Sequence, residues 1–334
     1  MPGSLSRRAQ SPSAGPRPRA GGAPLPARLP PRPSALVGLS RIAAAGILWG
    51  SIPLLARMVH TSPFVIVFWR VAFAALAFFV YLAVRGRLGE VVHSGARRLV
   101  VLAGLGIMLG LTWILFFSAL ALTRVAVAVV VTFTAPVFVA LFSPRVTGDA
   151  FDRRIVLPLA LALAGTVVVA APSGWGLGGG RDALGTALAL GSAVTIGIMT
   201  AVEKRVLRST SPEAIMFAKT VVAAVILSPA VVLLSGPADL REWGALAALG
   251  LGLTTFPFVL FLSGLHAVRA DQAAVVTYAE PVSAVLLAAA FLAEPLTPPV
   301  VLGGLAVVAG GFLAARLSSP VIQRVSSPEP RRSS

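Results

Sequence analysis

The chain alternates between apolar blocks of about twenty residues and short segments that are charged or rich in Gly and Pro. A block of that length, folded as an α-helix, matches the hydrocarbon core of a bilayer, which is about 30 Å thick. The pattern predicts an all-α polytopic membrane protein with ten transmembrane helices. They cover residues 38–57, 63–84, 99–120, 124–143 and 155–171, then 183–202, 212–234, 244–265, 270–292 and 299–316.

An internal repeat divides these helices into two groups of five. The segment Arg124–Val137 reappears as Arg269–Val282, with seven of fourteen residues identical at an offset of 145. Earlier in each half, Arg70 is matched by Lys219 at an offset of 149. Because five is an odd number, the second group must enter the membrane from the opposite side. The sequence therefore predicts two inverted five-helix repeats, a plan shared by many duplicated transporters.

Composition agrees with a membrane protein. Hydrophobic residues make up 57% of the chain, charged residues only 12%, and the mean hydropathy is +0.89. A soluble domain carries about 25% charged residues. The net charge of +16 does not indicate nucleic-acid binding, because Lys and Arg lie in the tails and in alternate loops. By the positive-inside rule, this distribution predicts a multi-pass protein of the cytoplasmic (inner) membrane with both termini in the cytoplasm.

Five segments follow from the repeat and the composition. Residues 1–36 are predicted to be a disordered, basic tail rich in Pro and Arg, and residues 317–334 a second disordered tail. The first repeat covers 37–172, a Gly-rich linker 173–181, and the second repeat 182–316.

Metal and catalytic chemistry find little support in the sequence. Cysteine is absent, and the three histidines (His60, His93 and His266) are scattered. No nucleophile elbow, His-Glu-x-x-His pair or Walker loop is present. We therefore expect no metal, no cofactor and no enzymatic activity. Without an ATPase module, concentrative transport would have to draw on an ion or solute gradient.

Three ionisable residues lie deep in predicted helices, where each needs a partner or a watery cavity. They are Arg70, Lys219 and Glu280. Glu280 precedes Pro281, which lacks an N–H and interrupts the helix. Such a carboxylate could bind an amine or a proton, or it could form a structural ion pair with Arg70 or Lys219. The matched positions of the two cations suggest an inherited structural role, with a contact to a substrate carboxylate as the alternative.

Matching prolines, Pro136 and Pro281, are predicted to break helices 4 and 9, and broken helices often line a transport site. Thr132 and Thr277 lie one turn earlier, where a hydroxyl could satisfy a freed carbonyl or face a solute. Trp49 and Trp113 are candidates for lining the pathway, with packing as the alternative. Glu294, near a membrane edge, is expected to have a topological or structural role.

Several short motifs resemble the EamA repeat of the drug/metabolite transporter superfamily. They are Tyr278-Ala279-Glu280-Pro281, Phe291-Leu292-Ala293-Glu294-Pro295-Leu296, Leu48-Trp49-Gly50-Ser51, Phe68-Trp69-Arg70 and Thr134-Ala135-Pro136. The resemblance extends over about residues 40–316 and departs from the family at Ser143-Pro144-Arg145, where an acidic ending is usual. It implies a ten-helix transporter of small organic solutes with a central cavity between the repeats.

Together these observations predict a secondary transporter of small organic metabolites, such as amino acids, that works by alternating access. Export is favoured because the resemblance points that way. The expected partners are a small-molecule solute and the lipid bilayer, with a coupled proton and a homodimer left open. The alternative is a polytopic membrane enzyme acting on lipid or isoprenoid substrates. Such an enzyme would need clustered acidic, His or Arg residues at one membrane face, and close acidic pairs such as Asp149 with Asp152 are few.

Overall fold

A computed structural model describes residues 35–92, 95–147, 153–170, 180–207, 209–265 and 276–317. All regular secondary structure in these ranges is helical, with no strand. Several predictions concern residues outside them: both tails up to residue 34 and from residue 318, the linker from 173 to 179, the start of the helix at 270–292, and His93, His266, Asp149 and Asp152.

The helices fall where the apolar blocks predict them. In chain order they are α1 (Ala35–Gly50), α2 (Ile52–Ala56), α3 (Pro63–Val84), α4 (Gly89–Val92), α5 (Ala96–Leu122), α6 (Val125–Thr132), α7 (Ala135–Thr147), α8 (Val156–Ala170), α9 (Gly180–Val206), α10 (Pro212–Leu233), α11 (Leu240–Ala247), α12 (Phe256–Leu265), α13 (Ala279–Leu292) and α14 (Pro298–Leu317). A 3₁₀ turn, Arg153–Ile155, precedes α8, and a π-helical segment, Ala248–Thr255, joins α11 to α12.

At three places a helix extends beyond the predicted limits of a repeat. The residues at 35–36 and 317, predicted as tail, belong to α1 and α14. Residues 180 and 181, predicted as linker, instead begin α9. The carboxylate of Asp182 lies in the first turn of α9, where it interacts favourably with the positive end of the helix dipole.

Helix length supports six membrane crossings among the described residues. Six helical stretches are long and apolar enough to span a bilayer by length and composition: Leu36–Ala56, Pro63–Val84, Ala96–Leu122, Gly180–Val206, Pro212–Leu233 and Leu240–Leu265. Four further apolar helices are shorter: Val125–Val139, Val156–Val169, Ala279–Leu292 and Pro298–Gly310. The predicted count of ten therefore goes beyond what length alone supports.

The two halves of the chain pack on each other in matching pairs. Helix α5 lies against α9, and its counterpart α12 lies against α1. Likewise α7 packs on α9, and α13 packs on α1. Helices α3 and α10, which occupy equivalent places in the two halves, pack on each other, as do α8 and α14. Each of these helix pairs therefore maps onto another of them, or onto itself, when the two halves are exchanged.

Glycines show the same equivalence at the residue level. A Cβ added at Gly106 in α5 would lie 3.0 Å from the carbonyl oxygen of Lys219 in α10. A Cβ added at Gly250, in the π-helical segment, would lie 2.8 Å from the carbonyl oxygen of Arg70 in α3. Lys219 and Arg70 are the pair related by the sequence repeat. The repeat thus sets equivalent backbone contacts between the halves.

Candidate functional site

A cavity of about 310 Å³ lies among helices from both halves. Six of the nine predicted site residues line it: Trp49, Arg70, Trp113, Thr132, Pro136 and Glu280. They come from α1, α3, α5, α6, α7 and α13. Segments that are far apart in the sequence therefore meet around one space.

The other three predicted residues, Thr277, Pro281 and Lys219, are not among the residues that line this cavity. Lys219 is only 4% exposed, and its Nζ donates a hydrogen bond to Oε1 of Glu203 in α9. Pro281 is buried in the first turn of α13. Lys219 therefore has a carboxylate partner of its own and contributes no charge to the cavity.

Arg70 is fixed in place by two contacts. Its Nε donates a hydrogen bond of 2.9 Å to the Thr254 hydroxyl, which in turn donates one of 2.7 Å to the carbonyl of Leu249. The Arg70 guanidinium carbon lies 3.8 Å from the centre of the Trp113 ring, which indicates a cation–π contact. Arg70 is only 4% exposed. A hydroxyl and an aromatic face thus hold the cation at the wall of the cavity.

Glu280 forms neither of the two predicted ion pairs. Within the described part of the chain, no Lys or Arg nitrogen lies within 4.0 Å of its carboxylate. Lys219 pairs with Glu203 instead, because α9 brings that carboxylate within reach. Glu280 and Arg70 line the same cavity and attract each other across a longer distance.

Both prolines lie in the first turn of a helix, where the missing N–H needs no partner. Pro136 follows the break between α6 and α7. At that break the hydroxyl of Thr134 donates to the carbonyl of Val131 at 2.7 Å. The hydroxyl of Thr132 points elsewhere and donates to the carbonyl of Ala189 in α9 at 3.4 Å. Backbone repair therefore falls to Thr134, and Thr132 joins the two halves beside the cavity.

A hydroxyl chain in the cavity wall was not predicted. Thr112 donates to the hydroxyl of Thr195 at 2.8 Å, and Ser192 donates to the backbone carbonyl of Thr112 at 3.1 Å. Thr112 and Ser192 both line the cavity. In the sequence, Thr112 and Ser192 are simply polar residues within apolar helices. Such residues are common at helix–helix contacts, so they do not by themselves indicate a cavity.

Glu294 caps a helix of the other half of the chain. Its carboxylate accepts hydrogen bonds from the backbone N–H of Val125 at 2.8 Å and of Ala126 at 3.2 Å, at the start of α6. The Arg57 guanidinium, 4.0 Å from that carboxylate, donates to the carbonyl of Thr123 at 2.7 Å. An anion at a helix N-terminus is electrostatically favourable. These contacts give Glu294 the structural role expected of it.

A metal centre has no ligand set in the described ranges. No three side chains of His, Cys, Asp or Glu come together there. We therefore assign no metal ligands.

An apolar, all-helical chain whose two equivalent halves surround a charged cavity has the architecture of a membrane transporter. The EamA-like transporter family matches this chain over residues 36–171 and again over 183–316, once in each half. The chain belongs to that family, which is part of the drug/metabolite transporter superfamily.

The relatives agree with this class. A protein of Archaeoglobus fulgidus named "uncharacterized transporter" is 27% identical over 281 residues, covering 84% of this chain and 96% of its own length. The uncharacterized transporter YwfM of Bacillus subtilis is 29% identical over 192 residues, covering 57% and 64% of the two chains. A solved crystal structure with 23% identity superposes with a TM-score of 0.61 and covers 86% of this chain and 99% of its own. That likeness shows the fold alone.

Proposed function

We propose that the protein is a secondary transporter that moves small organic metabolites, such as amino acids, across the cytoplasmic membrane. The observation that carries this proposal is the cavity, whose wall combines residues of both halves. A site between two packed bundles can change its exposure when one bundle rocks against the other. Export is the proposed direction, on the resemblance alone.

The proposed membrane arrangement has ten crossings in two inverted repeats, residues 37–172 and 182–316. Helices α6 and α7 together would form one broken crossing, the fourth of the first repeat. Helix α13 would form the second part of the equivalent crossing in the second repeat. Helices α8 and α14, which pack on each other, would supply the fifth crossing of each repeat. Both termini would then lie in the cytoplasm.

The energy source would be a proton or an exchanged solute, because no nucleotide-binding motif is present in the sequence. We propose Glu280 as the group that accepts a proton or binds an amine, since it lines the cavity and forms no ion pair among the described residues. A homodimer is compatible with this plan, and the cavity needs no second copy to be complete.

Reconstitution into liposomes tests the transport function. We expect protein-containing vesicles loaded with unlabelled amino acids to accumulate labelled amino acids by counterflow, while protein-free vesicles do not. Glu280→Gln in correctly inserted protein should change the rate or its pH dependence, and unchanged values would remove Glu280 from the mechanism. Chemical turnover of a lipid or isoprenoid substrate without solute flux would instead support the membrane enzyme.

A further inference from the structure

Two opposite charges line the cavity without forming an ion pair. We propose that the cavity is a zwitterion site, in which Arg70 binds the anionic group of a solute and Glu280 binds its cationic group. This inference rests on the proposed function and names the class of solute. Each charge is removed from bulk water, so leaving either one without a close partner is costly.

The Arg70 side of the site has free hydrogen-bonding capacity. Only its Nε has a hydrogen-bond partner among the described residues, namely Thr254. Its two terminal nitrogens have no hydrogen-bond partner among these residues, and Arg70 lines the cavity. The planar guanidinium fork matches a carboxylate and can bind it through two parallel hydrogen bonds. The cation–π contact with Trp113 restricts the position of that fork.

The backbone at Glu280 is held by close packing against α1. A Cβ added at Gly50 in α1 would lie 2.7 Å from the carbonyl oxygen of Glu280 and 2.9 Å from the N atom of Ala284. The absence of a side chain at Gly50 therefore lets α1 and α13 pack backbone to backbone beside Glu280. An ionised carboxylate only accepts hydrogen bonds, so its natural partner in the cavity is a cationic donor such as an ammonium group.

The cavity that the two residues line is small, and most of its wall is apolar. Trp49, Phe116 and Phe133 contribute aromatic surface to its wall. A volume of about 310 Å³ lies at the lower end of the ~300–1,000 Å³ that is usual for small-molecule sites. The site therefore suits a compact solute that carries a carboxylate, an ammonium group and one apolar substituent.

Selectivity follows from the two charges. A solute with only one charged group leaves either Arg70 or Glu280 unmatched in an apolar wall, and a site rejects a ligand that leaves its buried polar groups unpaired. We expect each loss of one charged group from the solute to weaken binding by about tenfold or more, which corresponds to about 1.4 kcal/mol.

Two matched triads of probes test this selectivity. The aromatic triad is L-phenylalanine, phenethylamine and 3-phenylpropionate; the aliphatic triad is L-leucine, isoamylamine and 4-methylvalerate. Binding is measured by calorimetry on the purified full-length protein. We expect at least one zwitterion to bind tenfold more tightly than both of its singly charged analogues. Equal binding of an analogue, or no binding in both triads at millimolar concentration, overturns the proposal.

Variants then assign each charge to a residue. In Arg70→Gln the zwitterion should no longer bind more tightly than the amine. In Glu280→Gln it should no longer bind more tightly than the acid. The control is the double variant Lys219→Gln with Glu203→Gln, which neutralises the ion pair outside the cavity and should keep both binding preferences. Thermal unfolding checks that each variant is folded. If a variant does not fold, the preference of the unaltered protein within the two triads still decides the proposal.

Counterflow separates this inference from the transport function. Binding of a zwitterion without any flux leaves the site intact and removes the proposed transport. Flux of uncharged or singly charged solutes, with zwitterions neither bound nor carried, leaves transport intact and overturns the zwitterion site.

Discussion

Arg70 and Lys219 occupy equivalent positions in the sequence repeat but have different surroundings. Arg70 lies over Trp113, whose counterpart at an offset of 145 is Phe258. Lys219 donates to Glu203. The repeat thus predicts where a buried cation lies, but the partner residues have diverged between the halves. One cation therefore faces the cavity while the other is neutralised within the helix bundle.

Gly106 and Gly104 offer a direct test of the packing between the halves. A Cβ at Gly106 would lie 2.5 Å from the Cβ of Val222, whereas a Cβ at Gly104 would meet nothing within 4 Å. Overpacking of this kind costs about 1–3 kcal/mol. We expect Gly106→Ala to lower the melting temperature of the purified protein clearly, and Gly104→Ala, the control on the same helix, to change it little. Equal melting temperatures for the two variants would contradict the close approach of α5 and α10.

Glu90 gives a pH-dependent contribution to stability outside the membrane-spanning helices. The hydrogen bond from Arg87, of 2.6 Å, and a second from the Ser211 hydroxyl hold the pKa of Glu90 below its usual value of 4.5. A lowered pKa means that the ionised form stabilises the fold at neutral pH, and that this contribution is lost as the pH falls below 4.5 through the folded-state pKa.

We therefore expect Glu90→Gln to lower the melting temperature at pH 7, and the difference from the unaltered protein to shrink as the solution is acidified. Glu213→Gln is the control, because the oxygen of Glu213 lies 3.8 Å from Arg87 and should contribute less. A difference that stays constant over the whole pH range would show that the ionised form of Glu90 has no role.

At the scale of the helices, the sequence predicts positions well and interruptions only in part. Blocks of apolar residues locate the helices because a bilayer needs about twenty such residues per crossing. Pro136 marks the break between α6 and α7, since proline removes a backbone hydrogen bond and kinks or breaks a helix. The π-helical segment at Ala248–Thr255 has no comparable signal. Within it, the hydroxyls of Thr254 and Thr255 donate to the carbonyls of Leu249 and Gly250, five residues earlier in the chain.

For the candidate site, too, the sequence predicts some features and not others. Buried ionisable residues are few in an apolar chain, so Arg70 and Glu280 could be selected from sequence alone. Their lack of a mutual ion pair could not, because it depends on how far apart α3 and α13 lie. The Glu203 partner of Lys219 and the hydroxyl chain through Thr112 also depend on tertiary packing.

The cap that Glu294 provides for α6 leads to a prediction for a single element. Removing a capping acceptor costs about 0.5–2 kcal/mol. We expect Glu294→Leu to speed amide hydrogen exchange in the first turn of α6, at Val125 and Ala126, more than elsewhere in the protein. Glu294→Gln keeps an acceptor oxygen and should have an intermediate effect. Unchanged exchange at these two amides in the Leu variant would exclude the cap.

Across the whole molecule, equivalent loops meet in two separate places. The Thr61 hydroxyl, between α2 and α3, donates to the carbonyl of Ser235, between α10 and α11. The Ser211 hydroxyl, between α9 and α10, donates to Glu90, between α3 and α5. Exchange of the two halves converts one pairing of loops into the other. Inverted repeats would place these two sets of contacts on opposite sides of the membrane.

Cysteine labelling tests that arrangement, because the chain contains no cysteine and any label must report the introduced residue. Gly236 lies beside Ser235, in the loop that contacts Thr61, and Gly95 precedes α5 on the Arg-rich side. A Cβ added at either glycine would have no atom within 4 Å, so a cysteine fits at both positions. Positive loops stay in the cytoplasm. We therefore expect a membrane-impermeant maleimide to label Gly236→Cys in spheroplasts and Gly95→Cys only in inside-out vesicles, with the unaltered protein as the unlabelled control. The inverted plan places five crossings, an odd number, between these two loops and so puts them on opposite sides of the membrane. Labelling of both positions from the same side would show that this plan is wrong.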